Sequence, residues 1–104
     1  MAVETVNDSN LEEFIKKGNV VLDCYADWCG PCKMLSPIID ELSEEIKNVS
    51  FGKLDVDKNP QTTAKFGIMS IPTVLFFKDG KHVDTMIGFG GKEALKAKIE
   101  KLLE

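Results

Sequence analysis

Apolar residues along this chain change their spacing several times, and each change predicts an element. "VETV" (3–6) is a short β-type run. Ser9 then reads as a helix N-cap, with Glu12 three residues on completing a capping box. Leu11, Phe14 and Ile15 follow at helical spacing, and Gly18 stops that helix. "VVLDCYA" (20–26) is apolar at both odd and even positions, as a central strand covered on both sides would be. A longer helix begins near Cys29 or Pro31, with Leu35, Ile38, Ile39, Leu42 and Ile46 at steps of three and four. Pro37 lies inside it and predicts a kink near residues 33–37, because proline lacks an amide hydrogen and crowds the preceding turn.

"SFGKLDV" (50–56) alternates and predicts a strand; Pro60 to Phe66 predicts a short helix ended by Gly67. "TVLFFK" (73–78) and "HVDTMI" (82–87) flank Asp79-Gly80, a two-residue hairpin signal. Gly88, Gly90 and Gly91 break the second strand, and a last helix over about 92–103 places Leu95, Ile99, Leu102 and Leu103 on one side. The order β-α-β-α-β-α-β-β-α predicts an α/β fold, with early parallel strands, covering helices and a late antiparallel pair.

Composition narrows the picture. The 104 residues fit one domain, spanning 1–104. Hydrophobic residues make up 43% and charged residues 29%, enough apolar surface for a core without disulfide or metal support. The net charge of −4 and the scattered distribution of the thirteen Lys and Arg argue against a nucleic-acid surface. No apolar run is long enough to span a membrane. "MAVETVNDSN" lacks a basic start followed by an apolar stretch, so a cytoplasmic protein is expected. The three cysteines, Cys24, Cys29 and Cys32, are too few for a disulfide-built scaffold.

The chemistry concentrates in "WCGPCK" (28–33). A structural zinc needs four ligands, and beyond Cys29 and Cys32 the chain offers only Cys24 in a strand and His82 after a turn. Covalent haem attachment would want His where Lys33 stands, and a four-cysteine iron–sulfur cluster lacks ligands. A purely structural bridge would close too small a loop to restrict the unfolded chain much. A reactive pair fits each local feature. It follows a buried strand and opens a helix, where free amide hydrogens and the helix dipole favour a thiolate at Cys29. Pro31 suits the first helical turn, and two intervening residues let Cys32 reach back to Cys29. CxxC beside a βαβ pattern is a known redox signal.

"ADWCGPCKMLSP", with "LD" shortly before it, resembles the active-site segment of the thioredoxin family. "KLDVDKNP" (53–60), "FGIMSIPT" (66–73), "FFKDG" (76–80) and "IGFGG" (87–91) extend the resemblance over nearly the whole chain. Gly-Pro between the cysteines sets it apart from glutaredoxins, which usually carry Pro-Tyr, and from disulfide isomerases, which usually carry Gly-His. The resemblance implies a thioredoxin fold: a central mixed five-stranded sheet flanked by four helices. It implies a protein-disulfide reductase, with Cys29 as nucleophile and Cys32, more buried, as the resolving thiol. Implied partners are a thioredoxin reductase and disulfide-containing proteins, with no cofactor or metal on this chain, which is expected to act as a monomer.

Further roles come from the same resemblance, each beside a plainer reading. Asp23 sits in an apolar strand, where an uncompensated charge is costly. It becomes the proton relay behind Cys32, with Lys53 as its partner; otherwise it is a capped carboxylate and Lys53 a solvated strand residue. Ile71-Pro72 reads as a loop into a strand; the resemblance makes it a cis bond facing the cysteines, exposing Ile71 to an extended substrate. Gly88 terminates a strand or, by resemblance, leaves room for a substrate backbone. Trp28 is either core or an apolar wall at the rim, and Gly30 and Pro31 complete the implied substrate contacts. Cys24 reads as a small buried hydrophobe, and His82 as an exposed strand residue. Phe66 stands where many relatives have Tyr, and Tyr25 where many have Trp. Two other functions remain open at this point: a redox-inert binding module, and an oxidant or isomerase of higher potential.

Overall fold

The computed structural model describes residues 2–104. Its element order is β1 (Val3–Thr5), α1 (Leu11–Ile15), β2 (Asn19–Tyr25), α2 (Gly30–Glu45), β3 (Ser50–Asp55), α3 (Pro60–Lys65), β4 (Thr73–Lys78), β5 (Lys81–Ile87) and α4 (Lys92–Leu102). The strands form one mixed sheet in the order β1-β3-β2-β4-β5. β1 and β2 run parallel to β3, whereas β4 is antiparallel to β2 and β5 to β4. The expected five strands and four helices are all present, with β2 at the centre of the sheet.

The doubly apolar β2 is explained by its two cores. Side chains alternate across a strand, so Val21 joins one face while Val20, Leu22 and Cys24 join the other. The first face packs Phe51 and Phe76 of the sheet against Leu35, Ile39 and Leu42 of α2 and Leu95 and Ile99 of α4. The second packs Leu22, Leu54 and Phe77 against Leu11, Phe14 and Ile15 of α1. Asp23 falls in step with Val21 and therefore lies on the α2 side, as does Lys53 in step with Phe51.

β3 is not the simple alternating strand that its sequence predicts. Gly52 is buried, and a Cβ there would stand 2.6 Å from Phe14 and 2.7 Å from Val6. Lacking a side chain, this position lets α1 settle onto the sheet. The β4–β5 hairpin turns as Asp79-Gly80 predicts: both residues have positive φ, 52° and 85°. A shift of register between Phe76 and Phe77 leaves Val83 exposed as the extra residue of a bulge.

The expected cap of α1 is wrong. Asn10, not Ser9, is the N-cap residue, and its side chain makes no capping bond. Asn7 does the local work instead: its Oδ1 accepts from the backbone N–H of Ser9 and of Asn10. Glu12 does not reach back to the chain but bonds Lys65 Nζ. Pro37 lies within α2, which runs unbroken from Gly30 to Glu45. Both Pro37 and Lys33, whose carbonyl the proline cannot serve, are exposed, so water is available to that carbonyl.

Candidate active site

Cys29 and Cys32 are joined as a disulfide with their Cα atoms 5.2 Å apart. The end of β2 delivers the chain to Ala26, whose carbonyl accepts from the Cys29 amide at 3.2 Å, and α2 starts at once. Cys29 is the N-cap residue, with extended backbone dihedrals, and Pro31 lies in the first turn. The Cys29 Sγ accepts from the Cys32 backbone N–H at 3.2 Å. Sulfur thus occupies the place of a capping oxygen, facing amide hydrogens that have no partner inside the helix. A thiolate at this atom gains both that hydrogen bond and the positive end of the helix dipole.

Burial does not separate the two cysteines as expected. Cys29 is 4% exposed and Cys32 3%. Their difference is positional: the sulfur of Cys29 caps the helix, whereas Cys32 lies inside its first turn.

Beneath them sits Asp23, 3% exposed, with Oδ1 lacking any hydrogen-bond partner. Burial disfavours its charged form and pushes its pKa up to about 7; Lys53 opposes this and Asp40 adds slightly to it. Lys53 is Asp23's partner in the β2–β3 register. Asp23, Cys32, Ser36 and Lys53 line one cavity of about 230 Å³, together with Tyr25 and Lys33. That is room for water between the carboxyl group and the sulfur.

The second wall comes from the loop before β4. The Ile71–Pro72 peptide bond is cis. Ile71 packs against the cluster of Ala26, Cys29 and Cys32. Thr73 Oγ1 donates to the Ser70 carbonyl, closing the loop across the proline. Gly88 donates its N–H to the Pro72 carbonyl at 2.8 Å, which ties the end of β5 to the same place. Gly88 has φ of 84° with nothing within 4 Å of where a Cβ would stand. A side chain there would be strained by its backbone, not crowded, and the space remains open to a visitor.

Trp28 is 70% exposed, so it is not core. Its Nε1 donates to Asp57 Oδ2 at 2.8 Å. Asp57 lies in the turn just after β3, and no spacing in the sequence links it to Trp28. Gly30 and Pro31 are exposed beside Trp28 in the chain. Cys24 is wholly buried on the opposite face of β2 from Asp23, and burial pushes its thiol well up. His82 is exposed, with Nε2 2.7 Å from Thr85 Oγ1 and its ring against Phe66 and Phe77. Among the described residues, no three His, Cys, Asp or Glu side chains gather as metal ligands do.

The family model "Thioredoxin" matches residues 2–101 of the chain. Thioredoxin of Staphylococcus saprophyticus is 49% identical over 104 residues, covering 99% of this chain and all of that one. Thioredoxin of Chlamydia caviae is 43% identical over 93 residues, 89% of this chain and 91% of the relative. Among solved structures, a mutant thioredoxin from Halobacterium salinarum superposes with a TM-score of 0.91 at 35% identity, covering 97% of this chain and 90% of that one. Plasmodium falciparum thioredoxin gives 0.90 at 38% identity, covering 95% and 98%.

Proposed function

We infer the function from the premise that this chain belongs to the thioredoxin family. It is a thiol–disulfide oxidoreductase that reduces protein disulfides by exchange through Cys29 and Cys32. A thioredoxin reductase restores the dithiol, as is general for the family. The observation that carries this reading is the paired cysteines at the start of α2, with a backbone N–H aimed at the Cys29 sulfur.

The individual roles are our proposal. The Cys29 thiolate attacks one sulfur of the substrate disulfide. A mixed disulfide forms, the substrate S–S bond breaks, and the released substrate thiolate takes up a proton. Cys32 then loses its proton to Asp23, through water in their shared cavity, and attacks the Cys29 sulfur. The second substrate thiolate leaves, and the two electrons of the dithiol have passed to the substrate. An acid with a pKa of about 7 is suited to this exchange, being able to hold or release a proton near neutrality. Lys53 acts on Asp23 through its charge, and keeps the carboxyl group from rising further. Ile71, Pro72, Gly88, Trp28, Gly30 and Pro31 form the surface against which an extended substrate segment lies.

Residues 1–104 serve as one domain in this reading. The partners are a thioredoxin reductase and disulfide-containing proteins, the working form is a monomer, and the location is the cytoplasm. Among the described residues no helix is long and apolar enough to cross a membrane.

The test is reduction of insulin disulfides by the purified chain, with dithiothreitol or a thioredoxin reductase as electron source. Catalytic turnover that Cys29→Ser abolishes is expected. A binding module without redox activity would give no turnover with either donor.

A further inference from the structure

Asp23 Oδ1 is buried without a hydrogen-bond partner, and beside it lies the cavity that Asp23 shares with Cys32. A water carrying a proton across that cavity needs about three polar partners to stay in place. The carboxyl group and the Cys32 sulfur supply two. Lys53 enters from β3, but an ammonium can only donate. Ser36 enters from α2, one turn after Cys32, so the two side chains share a face of the helix. Side chains on a helix tilt towards its N-terminus, which turns the Ser36 hydroxyl back over Cys32. Ser36 is exposed where Cys32 and Asp23 are buried, so it stands at the mouth of the cavity. A hydroxyl both donates and accepts, as a water passing a proton in either direction requires. Tyr25, the other hydroxyl in the lining, springs from the end of β2 opposite Asp55, not from the helical stripe that carries Cys32. The remaining titratable groups around Asp23 are Lys53 on β3, Asp40 and Lys33 on α2, and Asp27 just beyond β2; its register partner on β4, Val74, carries none.

We propose that Ser36 is a positioning residue for the proton transfer between Cys32 and Asp23, its hydroxyl anchoring the water that bridges them. The Cys32 S–H proton passes to that water, and the water gives a proton to an Asp23 carboxylate oxygen. The water and the Ser36 hydroxyl each end with as many protons as before. The electron pair left on Cys32 forms the bond to the Cys29 sulfur. The proposal rests on the reading above that Cys32 resolves the mixed disulfide with Asp23 as its base. Loss of one anchoring hydrogen bond should slow this step about two- to tenfold.

The test is single-turnover reduction of a disulfide substrate by the full chain across neutral pH. Ser36 is exposed and alanine favours a helix, so Ser36→Ala leaves the fold intact. Ser36→Ala should lower the rate above neutrality about two- to tenfold. The inflection near pH 7 should remain, since Asp23 is still there to ionise. Ser36→Thr keeps the hydroxyl and should restore the rate. In an Asp23→Asn chain, Ser36→Ala should change the rate less than about twofold, because the acceptor it serves is gone. Attack by Cys29 is read separately, as the rate of complex formation in a Cys32→Ser chain, and Ser36→Ala should not slow it. The proposal is overturned if Ser36→Ala resolves at the wild-type rate, or if Ser36→Thr is as slow as Ser36→Ala. It is equally overturned if the loss is as large in the Asp23→Asn chain, or if it appears in complex formation by the Cys32→Ser chain. Failure of the functional reading would show separately, as a wild-type chain that does not turn insulin over.

Discussion

Asp23 and Lys53 stand opposite each other in register on the parallel strands β2 and β3, yet among the described residues no ion pair reaches the Asp23 carboxylate. The lysine is close enough to be felt but does not neutralise the acid. Burial wins, and the folded pKa rises from the ordinary 3.8 to about 7.

This makes stability depend on pH in a defined sense. Below the ordinary value the acid is protonated in both folded and unfolded chains, and no cost is felt. As pH rises towards about 7 the unfolded chain ionises freely while the folded one resists, so stability falls. The full difference is on the order of 4 kcal/mol. Asp23→Asn should therefore be more stable than wild type by about 2 kcal/mol or more at pH 8. The gain should vanish at pH 3.5. Urea melts at the two pH values measure it.

The same substitution should slow turnover. Without a base beside Cys32, resolution of the mixed disulfide should fall on the order of 10²-fold. The wild-type rate should rise with pH through about 7, following ionisation of Asp23, and this inflection should be missing from Asp23→Asn. Single-turnover reduction of a disulfide substrate between pH 5.5 and 8.5 tests both points. An inflection retained in the variant would remove Asp23 from the proton path.

Helix capping, rather than burial, distinguishes the two active-site cysteines. Cys32→Ser should accumulate a covalent complex with a disulfide substrate, whereas Cys29→Ser should accumulate none. Non-reducing gels after mixing with oxidised insulin resolve the two outcomes, and equal trapping by both variants would reverse the assignment.

Asp8 should matter to stability, and its neighbour Ser9 should not. The Asp8 carboxylate accepts from the Thr62 and Gln61 amides and from the Thr62 hydroxyl, closing the start of α3. Asp8→Ala should clearly lower the melting temperature, because the first turn of α3 loses the acceptor of its amides. Ser9→Ala should fall within about 0.5 kcal/mol of wild type. Thermal melts of the two variants side by side decide it.

These caps show where sequence reading stops. The strands, the Asp79-Gly80 turn and the hydrophobic faces of α2 and α4 depend on local spacing, and all were legible. So was Asp23, since a lone charge in "VVLDCY" stands out against its neighbours. A capping box is also a local signal, but the segment from Asn7 to Asn10 makes its own turn, and Asp8 serves a helix that begins 52 residues later. The role of Gly52 lies outside local spacing for a related reason: its value is in what Phe14 and Val6 occupy above it. The partnership of Trp28 with Asp57 spans 29 residues and leaves no periodic trace. Residues acting through contacts that the fold alone creates cannot be read from spacing.

Cys24 gives the molecule a built-in clock for its own opening. It lies wholly buried in the central strand, its thiol held protonated by that burial. In the folded, reduced chain, an aromatic disulfide reagent should release two equivalents of chromophore promptly, as Cys29 is captured and Cys32 closes the bridge. The third of the three thiols should answer only when β2 separates from its neighbours. Its slow phase counts openings of the sheet centre, and its amplitude separates an intact preparation from a partly denatured one without any added label.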